Sequence, residues 1–171
     1  PLQLRLVGIR DTSYDESGDF ATDLSVMMGG SRLAREEIHS VRDELNADIV
    51  TLVTVSGDAC GMGWQLNEEN YHDFDQNAFN IVRVDCMSNY VLAHEIGHNL
   101  GAAHTPADQP EEWPPRYNYS YAYQDPEGEF RTVMAYRCPN NDSCPRIPYF
   151  SNPHLRYEGQ SMGVANQSDN A

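Results

Sequence analysis

The residues best suited to chemistry lie in the segment His94–His104, which reads HEIGHNLGAAH. His94 and His98 are four residues apart and therefore share one face of a helix, so both imidazoles can reach one Zn²⁺ at about 2.0–2.1 Å. Gly101 can end that helix in a left-handed conformation, so that the chain turns and His104 adds a third nitrogen. Three protein ligands leave a fourth coordination position open, which is typical of a catalytic zinc site.

Glu95 supplies the acid–base group that such a site needs. It points to the neighbouring side of the helix, where its carboxylate can hold a water molecule at the open position and act as general base. The shorter HExxH pattern occurs by chance on surface helices, but the added glycine and histidine at fixed spacing make coincidence improbable. The motif predicts one catalytic Zn²⁺ held by His94, His98 and His104, with Glu95 as the catalytic base.

The elements that position these residues follow from apolar periodicity. Ser88 or Asn89 can start the zinc helix, and Ser31 can cap an earlier helix that ends near Asn46. Strands are predicted at Leu2–Ile9, Asp48–Val55 (buried and central), Trp64–Leu66 and Phe79–Val84. After His104 we expect a hairpin of Tyr117–Tyr123 with Phe130–Thr132, and short helices at Pro153–Tyr157 and from Val164 onward.

A second informative segment is Thr132–Tyr136, which reads TVMAY. With the zinc motif it resembles the metzincin clan of zinc metallopeptidases, in which a methionine turn lies beneath the zinc-binding histidines. The order of Ala47–Val53, Cys60–Gly63 and the zinc helix is similar to that of reprolysin-like proteases, and the run from Arg137 to Pro153 resembles bacterial members. Among these, the chain most resembles the peptidyl-Asp metalloendopeptidases.

This resemblance implies a single α/β (α+β) catalytic domain over residues 1–171. Residues 1–104 would form an upper subdomain, a mixed twisted β-sheet with a backing helix and the active-site helix. Residues 105–171 would form a smaller, irregular lower subdomain. Relatives place a strand and a long helix before the segment matching Leu2–Ile9, so we expect that opening to be missing here. Thr105 departs from the Asp of adamalysin-type enzymes.

The resemblance also implies roles near the methionine turn. Met134 would shape the floor of the zinc site without taking part in the chemistry. Tyr136 lies two residues later, the offset at which astacin-like and serralysin-like relatives carry a zinc-contacting tyrosine. It is a candidate donor to the developing oxyanion. The alternative is that Tyr136 packs in the lower core.

The segment after the methionine turn walls the pocket for the residue just beyond the cut in metzincins. Between residues 131 and 156 the only acid is Asp142, and the arginines are Arg131, Arg137, Arg146 and Arg156. We expect Arg137 and Arg146 to line this pocket, where a guanidinium can pair bidentately with an aspartate side chain. The alternative is that the arginines only balance surface carboxylates.

The four cysteines allow three pairings and have no zinc-finger spacing. The economical pairing is Cys60–Cys86 and Cys138–Cys144, and the alternative is four free buried thiols. Disulfides require an oxidising compartment, which agrees with a secreted, extracellular protein.

Composition narrows the function further. A net charge of −15 argues against nucleic-acid binding, and no apolar run is long enough to span a membrane. Asp15, Asp19 and Asp23 could hold calcium, but their spacing fits no calcium-binding motif. We therefore predict a secreted, monomeric zinc endopeptidase that acts on proteins or peptides, with a preference for Asp just after the cut. The rival interpretations are a metal-binding but non-proteolytic recognition domain, an endopeptidase with broad or hydrophobic preference, an exopeptidase, and a latent fragment.

Overall fold

The computed structural model describes residues 2–29, 31–32, 34–139, 141 and 143–170. In this part of the chain the α-helices are α1 (Phe20–Met28), α2 (Ser40–Leu45), α3 (Phe74–Asn77) and α4 (Val91–Asn99). A π-helix at Ala34–His39 precedes α2, and 3₁₀-helices lie at Tyr71–Asp73 and Val84–Asn89. The strands are β1 (Val50–Thr54), β2 (Gly61–Gly63), β3 (Phe79–Arg83), β4 (Asn152–Tyr157) and β5 (Gln160–Met162). This mixture of helices and small sheets confirms the predicted α+β class.

The chain divides into two compact units. The first, here called the N-terminal unit, comprises the residues up to Trp64 together with Asp73–Glu95. The second, the C-terminal unit, comprises Gln65–His72 and the residues from Ile96 onward. The division falls inside α4, between Glu95 and Ile96, so that one continuous helix contributes to both units.

A three-stranded sheet forms the centre of the N-terminal unit. Its order is β1-β3-β2, with β1 parallel and β2 antiparallel to β3. Phe20, Leu24 and Met27 recur every three or four residues on α1, so they form one apolar face. That face packs against Phe79 and Ile81 of β3. The predicted strand Phe79–Val84 is therefore present, one residue shorter, and buried.

Of the three other strand predictions, Leu2–Ile9 is wrong, Asp48–Val55 is confirmed as β1 but not as a central strand, and Trp64–Leu66 is shifted along the chain. Leu2–Ile9 has no regular structure and no ladder partner among the described residues, and Leu6 is 77% exposed. β1 lies at one end of the described sheet, not at its centre, and Val53 is 51% exposed. The short strand predicted at Trp64–Leu66 lies earlier, at Gly61–Gly63. Periodicity identifies an extended apolar segment but does not identify its partner.

The helices of the N-terminal unit were only partly predicted. Ser31 accepts a hydrogen bond from the Ala34 amide at 3.1 Å, and Asn46 ends α2 in a left-handed conformation, as expected for this helical segment. α1 was not predicted at all, although Asp19 caps it by accepting from the Thr22 amide at 2.7 Å. Helix α4 begins at Val91, later than predicted, because Tyr90 adopts a positive φ of 57°.

The C-terminal unit is mostly irregular, as expected after His104. Its apolar centre contains Phe130, Ile147 and Met162. The predicted hairpin is present only as local pairing, with an antiparallel bridge between Gln124 and Arg131 in place of regular strands.

The helix predicted at Pro153–Tyr157 is instead strand β4, paired with β5. Glu158 and Gly159 both have positive φ between these strands, a backbone typical of a two-residue hairpin turn. The predicted helix from Val164 is only a turn, in which the Ser168 amide donates to the Val164 carbonyl.

The structure contains both predicted disulfides, Cys60–Cys86 in the N-terminal unit and Cys138–Cys144 in the C-terminal unit. No free cysteine remains. Over the described residues, no helix has both the length and the apolar character needed to cross a membrane.

Candidate metal centre

Helix α4 and the turn after it bring three histidines together. His94 and His98 lie one turn apart on the helix, and one ring nitrogen from each of His94, His98 and His104 lies within 4.8 Å of the others. The Nε2 atoms of His98 and His104 are 3.1 Å apart. Tetrahedral zinc with Zn–N bonds of about 2.0–2.1 Å requires nitrogens about 3.3 Å apart. The His98–His104 spacing is close to this value, and three imidazole nitrogens within 4.8 Å of one another fit a metal ion, for which zinc suits the donor set.

The turn after α4 ends the helix in the way predicted for Gly101. Gly101 has a φ of +91°, and its amide donates to the His98 carbonyl at 2.9 Å. The Ala102 amide donates to the Gly97 carbonyl, also at 2.9 Å. These two bonds form a Schellman cap, which requires a left-handed residue at the position of Gly101. The cap redirects the chain so that His104 faces His98.

His98 is prepared to act as a ligand through Nε2. Its Nδ1 lies 3.0 Å from the Ala102 carbonyl oxygen, so Nδ1–H donates there and Nε2 keeps its lone pair. Burial, followed by the neighbouring His104, lowers the pKa of His98 to about 3. The ring is therefore neutral at neutral pH, as a metal ligand must be.

Glu95 is buried on α4 beside the glycines of β2. A Cβ added at Gly61 would lie 2.5 Å from Glu95 Oε1, and one at Gly63 would lie 2.7 Å from the Glu95 carbonyl oxygen. Only glycine at these two positions lets β2 approach the helix so closely. Sequence reasoning missed this role, although the GMG segment after Cys60 carries the signal.

Met134 packs against the same helix within the C-terminal unit. Its side chain is fully buried, and a Cβ at Gly97 would lie 2.5 Å from Met134 Sδ. The methionine thus touches α4 one residue before His98. This contact also explains why glycine occupies one of the two variable positions of the HExxH motif in this chain.

Tyr136 lies beside the third histidine. The ring centroids of Tyr136 and His104 are 4.1 Å apart, and Tyr136 is 45% exposed. Tyr136 is thus half-exposed beside His104, and its role as a donor to the oxyanion stays a prediction.

Two arginines that flank the methionine turn in sequence donate to one carbonyl. Arg131 Nη1 and Arg146 Nη2 donate to the Ala135 carbonyl oxygen at 2.8 and 3.2 Å. Burial and the charge of Arg137 lower the pKa of Arg131. Arg137 is exposed, and no ion pair joins Arg131 or Arg137 to another described residue. Asp142, the only acid between residues 131 and 156 in the sequence, lies outside the described residues.

Comparison with known proteins also indicates a metallopeptidase. Residues 1–168 match the profile of the metallopeptidase family M12B, reprolysin-like. A peptidyl-Asp metalloendopeptidase of Stenotrophomonas maltophilia (strain R551-3) is 37% identical over 171 residues, covering 99% of this chain and 39% of the relative. The protein of that name from Pseudomonas fragi is 31% identical over 165 residues, covering 96% of this chain and 82% of the relative. The chain thus spans less than half of the Stenotrophomonas protein.

The fold is also found among solved structures. A chain in a structure described as "Structure of a chaperone-substrate complex" superposes with a TM-score of 0.62 at 20% identity. The match covers 90% of this chain and 23% of that chain. At this level of identity the likeness concerns the fold.

Proposed function

Because this chain belongs to the M12B reprolysin-like family of metallopeptidases, we propose that it hydrolyses internal peptide bonds as a zinc-dependent endopeptidase. The observation that carries this proposal is the convergence of His94, His98 and His104, whose ring nitrogens lie within 4.8 Å of one another. Zinc, when bound, lowers the pKa of its water molecule to about 7 and polarises a carbonyl group.

Glu95 is the general base of the proposed reaction. It accepts a proton from the attacking water as the new C–O bond forms, and it delivers that proton to the leaving nitrogen as the C–N bond breaks. Two facts support this role: Glu95 follows His94 directly on α4, and its buried carboxylate lies against Gly61. Removal from bulk water strengthens its interaction with the reacting groups.

Tyr136 is the proposed donor to the oxyanion that develops on the scissile carbonyl. Its ring lies 4.1 Å from that of His104, and its exposure leaves it accessible to a substrate. A phenol hydroxyl donates one hydrogen bond, which is sufficient for this role.

We further propose that substrates carry Asp just after the cut. The names of the relatives support this preference, since they are peptidyl-Asp metalloendopeptidases. Arg137 and Arg146 are the proposed recognition residues. The Arg146 guanidinium also donates to the Ala135 carbonyl, whereas Arg137 is exposed, so Arg137 is the better placed of the two to meet a substrate carboxylate.

A secreted location is the remaining part of the proposal. The two disulfides support it, because such bonds persist in oxidising compartments and are rare in the cytosol of most organisms.

The test is digestion of a protein library with the purified chain, with every cut mapped by mass spectrometry. The matched control is Glu95→Gln at equal zinc content, which keeps the shape of the side chain but cannot take a proton. We expect the variant to be slower by about 10²–10⁴-fold, the usual contribution of a positioned general base. Cuts made at the parental rate by Glu95→Gln, or by a chelated sample, would contradict the proposal.

The Asp preference is tested in the same digestion with Arg137→Glu, Arg146→Glu and, as control, Arg156→Glu. Arg156 lies on β4, is exposed and donates to the Gly159 carbonyl. We expect Arg137→Glu to lose about 10-fold or more in discrimination for Asp over Asn, because a charge-assisted pair becomes a repulsive one. A cleavage profile that is unchanged in both Arg137→Glu and Arg146→Glu would refute this part alone.

A further inference from the structure

His104 is the one proposed ligand that lies outside helix α4, so its main chain needs other support. The His104 carbonyl accepts a hydrogen bond from the Ala122 amide at 3.2 Å, next to the β-bridge between Ala103 and Tyr121. On the other side, the His104 amide donates to a side chain, Gln109 Oε1, at 3.2 Å. The backbone of the third ligand is thus fixed from both directions.

The nitrogen of the Gln109 side-chain amide is also hydrogen-bonded. Its Nε2 donates to Gln65 Oε1 at 3.1 Å and to the Trp113 carbonyl oxygen at 2.5 Å. The oxygen and both N–H groups of the amide therefore have partners. An amide fixed in this way has one orientation, in which its oxygen faces His104.

The loop between His104 and Gln109 is closed by local bonds. The Thr105 carbonyl accepts from the amides of Asp108 and Gln109, both at 3.0 Å. Buried Thr105 also donates its hydroxyl to Asp108 Oδ2 at 2.6 Å. This turn returns the chain so that the Gln109 side chain reaches the amide of His104.

We propose that Gln109 is a positioning residue for the metal centre, whose amide oxygen holds the His104 backbone so that the third imidazole is preorganised for the ion. The proposal rests on the metal site assigned above. Ligands that are held before binding lose less conformational entropy when the metal arrives, and groups that orient ligands commonly change metal affinity by about 10–100-fold. Gln109 acts through His104 and touches neither metal nor substrate.

The experiment measures zinc release from the full chain by chelator competition, together with the absorption spectrum of the Co²⁺-substituted protein and the unfolding of the metal-free protein. Gln109→Met removes the acceptor at similar size. Gln109→Glu keeps an oxygen toward the His104 amide. Gln65→Met is the matched control, because the same chemical change removes a partner of Gln109 but leaves Gln109 Oε1 in place.

We expect Gln109→Met to release zinc about tenfold faster or more, with an altered Co²⁺ spectrum. Gln109→Glu and Gln65→Met should stay within about threefold of the parent. The metal-free Gln109→Met protein should unfold at nearly the same denaturant concentration as the parent.

Unchanged zinc release in Gln109→Met would overturn the inference. The inference would also be overturned if Gln109→Glu released zinc as fast as Gln109→Met, or if the metal-free Gln109→Met protein were destabilised to a matching degree. Either result would show that Gln109 supports the loop as a whole and does not position His104 for the metal. Failure of the parent chain to bind zinc would be a different result, because it would refute the proposed metal site itself.

Discussion

At the scale of single residues, His98 links the metal site to folding. Its pKa is lowered to about 3 in the folded protein, mainly by burial, and lies near 6.5 in the unfolded chain. Between these values the unfolded state binds a proton that the folded state does not bind. Stability from the neutral ring is therefore full above about pH 6.5 and is lost as the pH falls from 6.5 towards 3.

We predict that the free energy of unfolding of the metal-free protein falls by up to about 1 kcal/mol per pH unit between pH 6.5 and 5. Carboxylates such as Asp23 and Glu37, whose pKa values are lowered by hydrogen bonds, lose their contributions at lower pH, so this window isolates histidine. Denaturant unfolding at several pH values provides the measurement. His98→Gln should flatten the slope, and an equally steep slope in that variant would assign the effect to other groups.

At the scale of elements, the approach of β2 to α4 depends on glycine. A Cβ at Gly63 would lie 2.7 Å from the Glu95 carbonyl oxygen, a main-chain atom that cannot move unless the helix moves. The glycines of β2 therefore set how closely the strand lies against the catalytic residue of the proposed reaction.

We predict that Gly63→Ala destabilises the protein by about 1–3 kcal/mol, the usual cost of overpacking, and lowers peptidase activity at saturating zinc. Gly18→Ala is the control, because its added Cβ meets open space and only the positive φ of 82° is penalised. That control should retain full activity. Thermal unfolding and peptide hydrolysis measure both effects, and a fully active, stable Gly63→Ala protein would show that β2 can move away without harm.

The elements also show how far sequence reasoning reaches. The histidines and the Schellman turn at Gly101 were predictable because helical spacing and glycine chemistry are local. Partner choice is not local, so the apolar alternation of Leu2–Ile9 predicted a strand that the structure lacks. The roles of Gly63 and Gln109 do not follow from apolar periodicity, because Gly63 meets a helix distant in sequence and Gln109 reaches the His104 amide only through the turn between them.

At the scale of the whole molecule, net charge opposes the proposed substrate preference. The chain carries a net charge of −15, so an acidic peptide is repelled at long range. In the proposed pocket, the arginines near the methionine turn would attract it only at short range, and Arg131 and Arg137 form no ion pair with another described residue. The two effects differ in their sensitivity to salt, because screening acts beyond a Debye length of about 30 Å at 0.01 M and about 10 Å at 0.1 M.

We therefore predict a salt effect on a peptide that has Asp after the cut and further acidic residues elsewhere. Its kcat/KM should rise about two- to tenfold between 0.01 and 0.1 M salt, roughly the lower range of electrostatic steering effects. A peptide with the same Asp but neutral flanking residues should change little. The ratio of Asp to Asn cleavage should fall only slightly over this range, since a direct guanidinium–carboxylate pair is shorter than either Debye length. Steady-state hydrolysis of the matched peptides measures all three quantities. If the acidic peptide were cleaved more slowly as salt increased, attraction would dominate at long range, and the arginines would act by steering the substrate as well as by holding its aspartate.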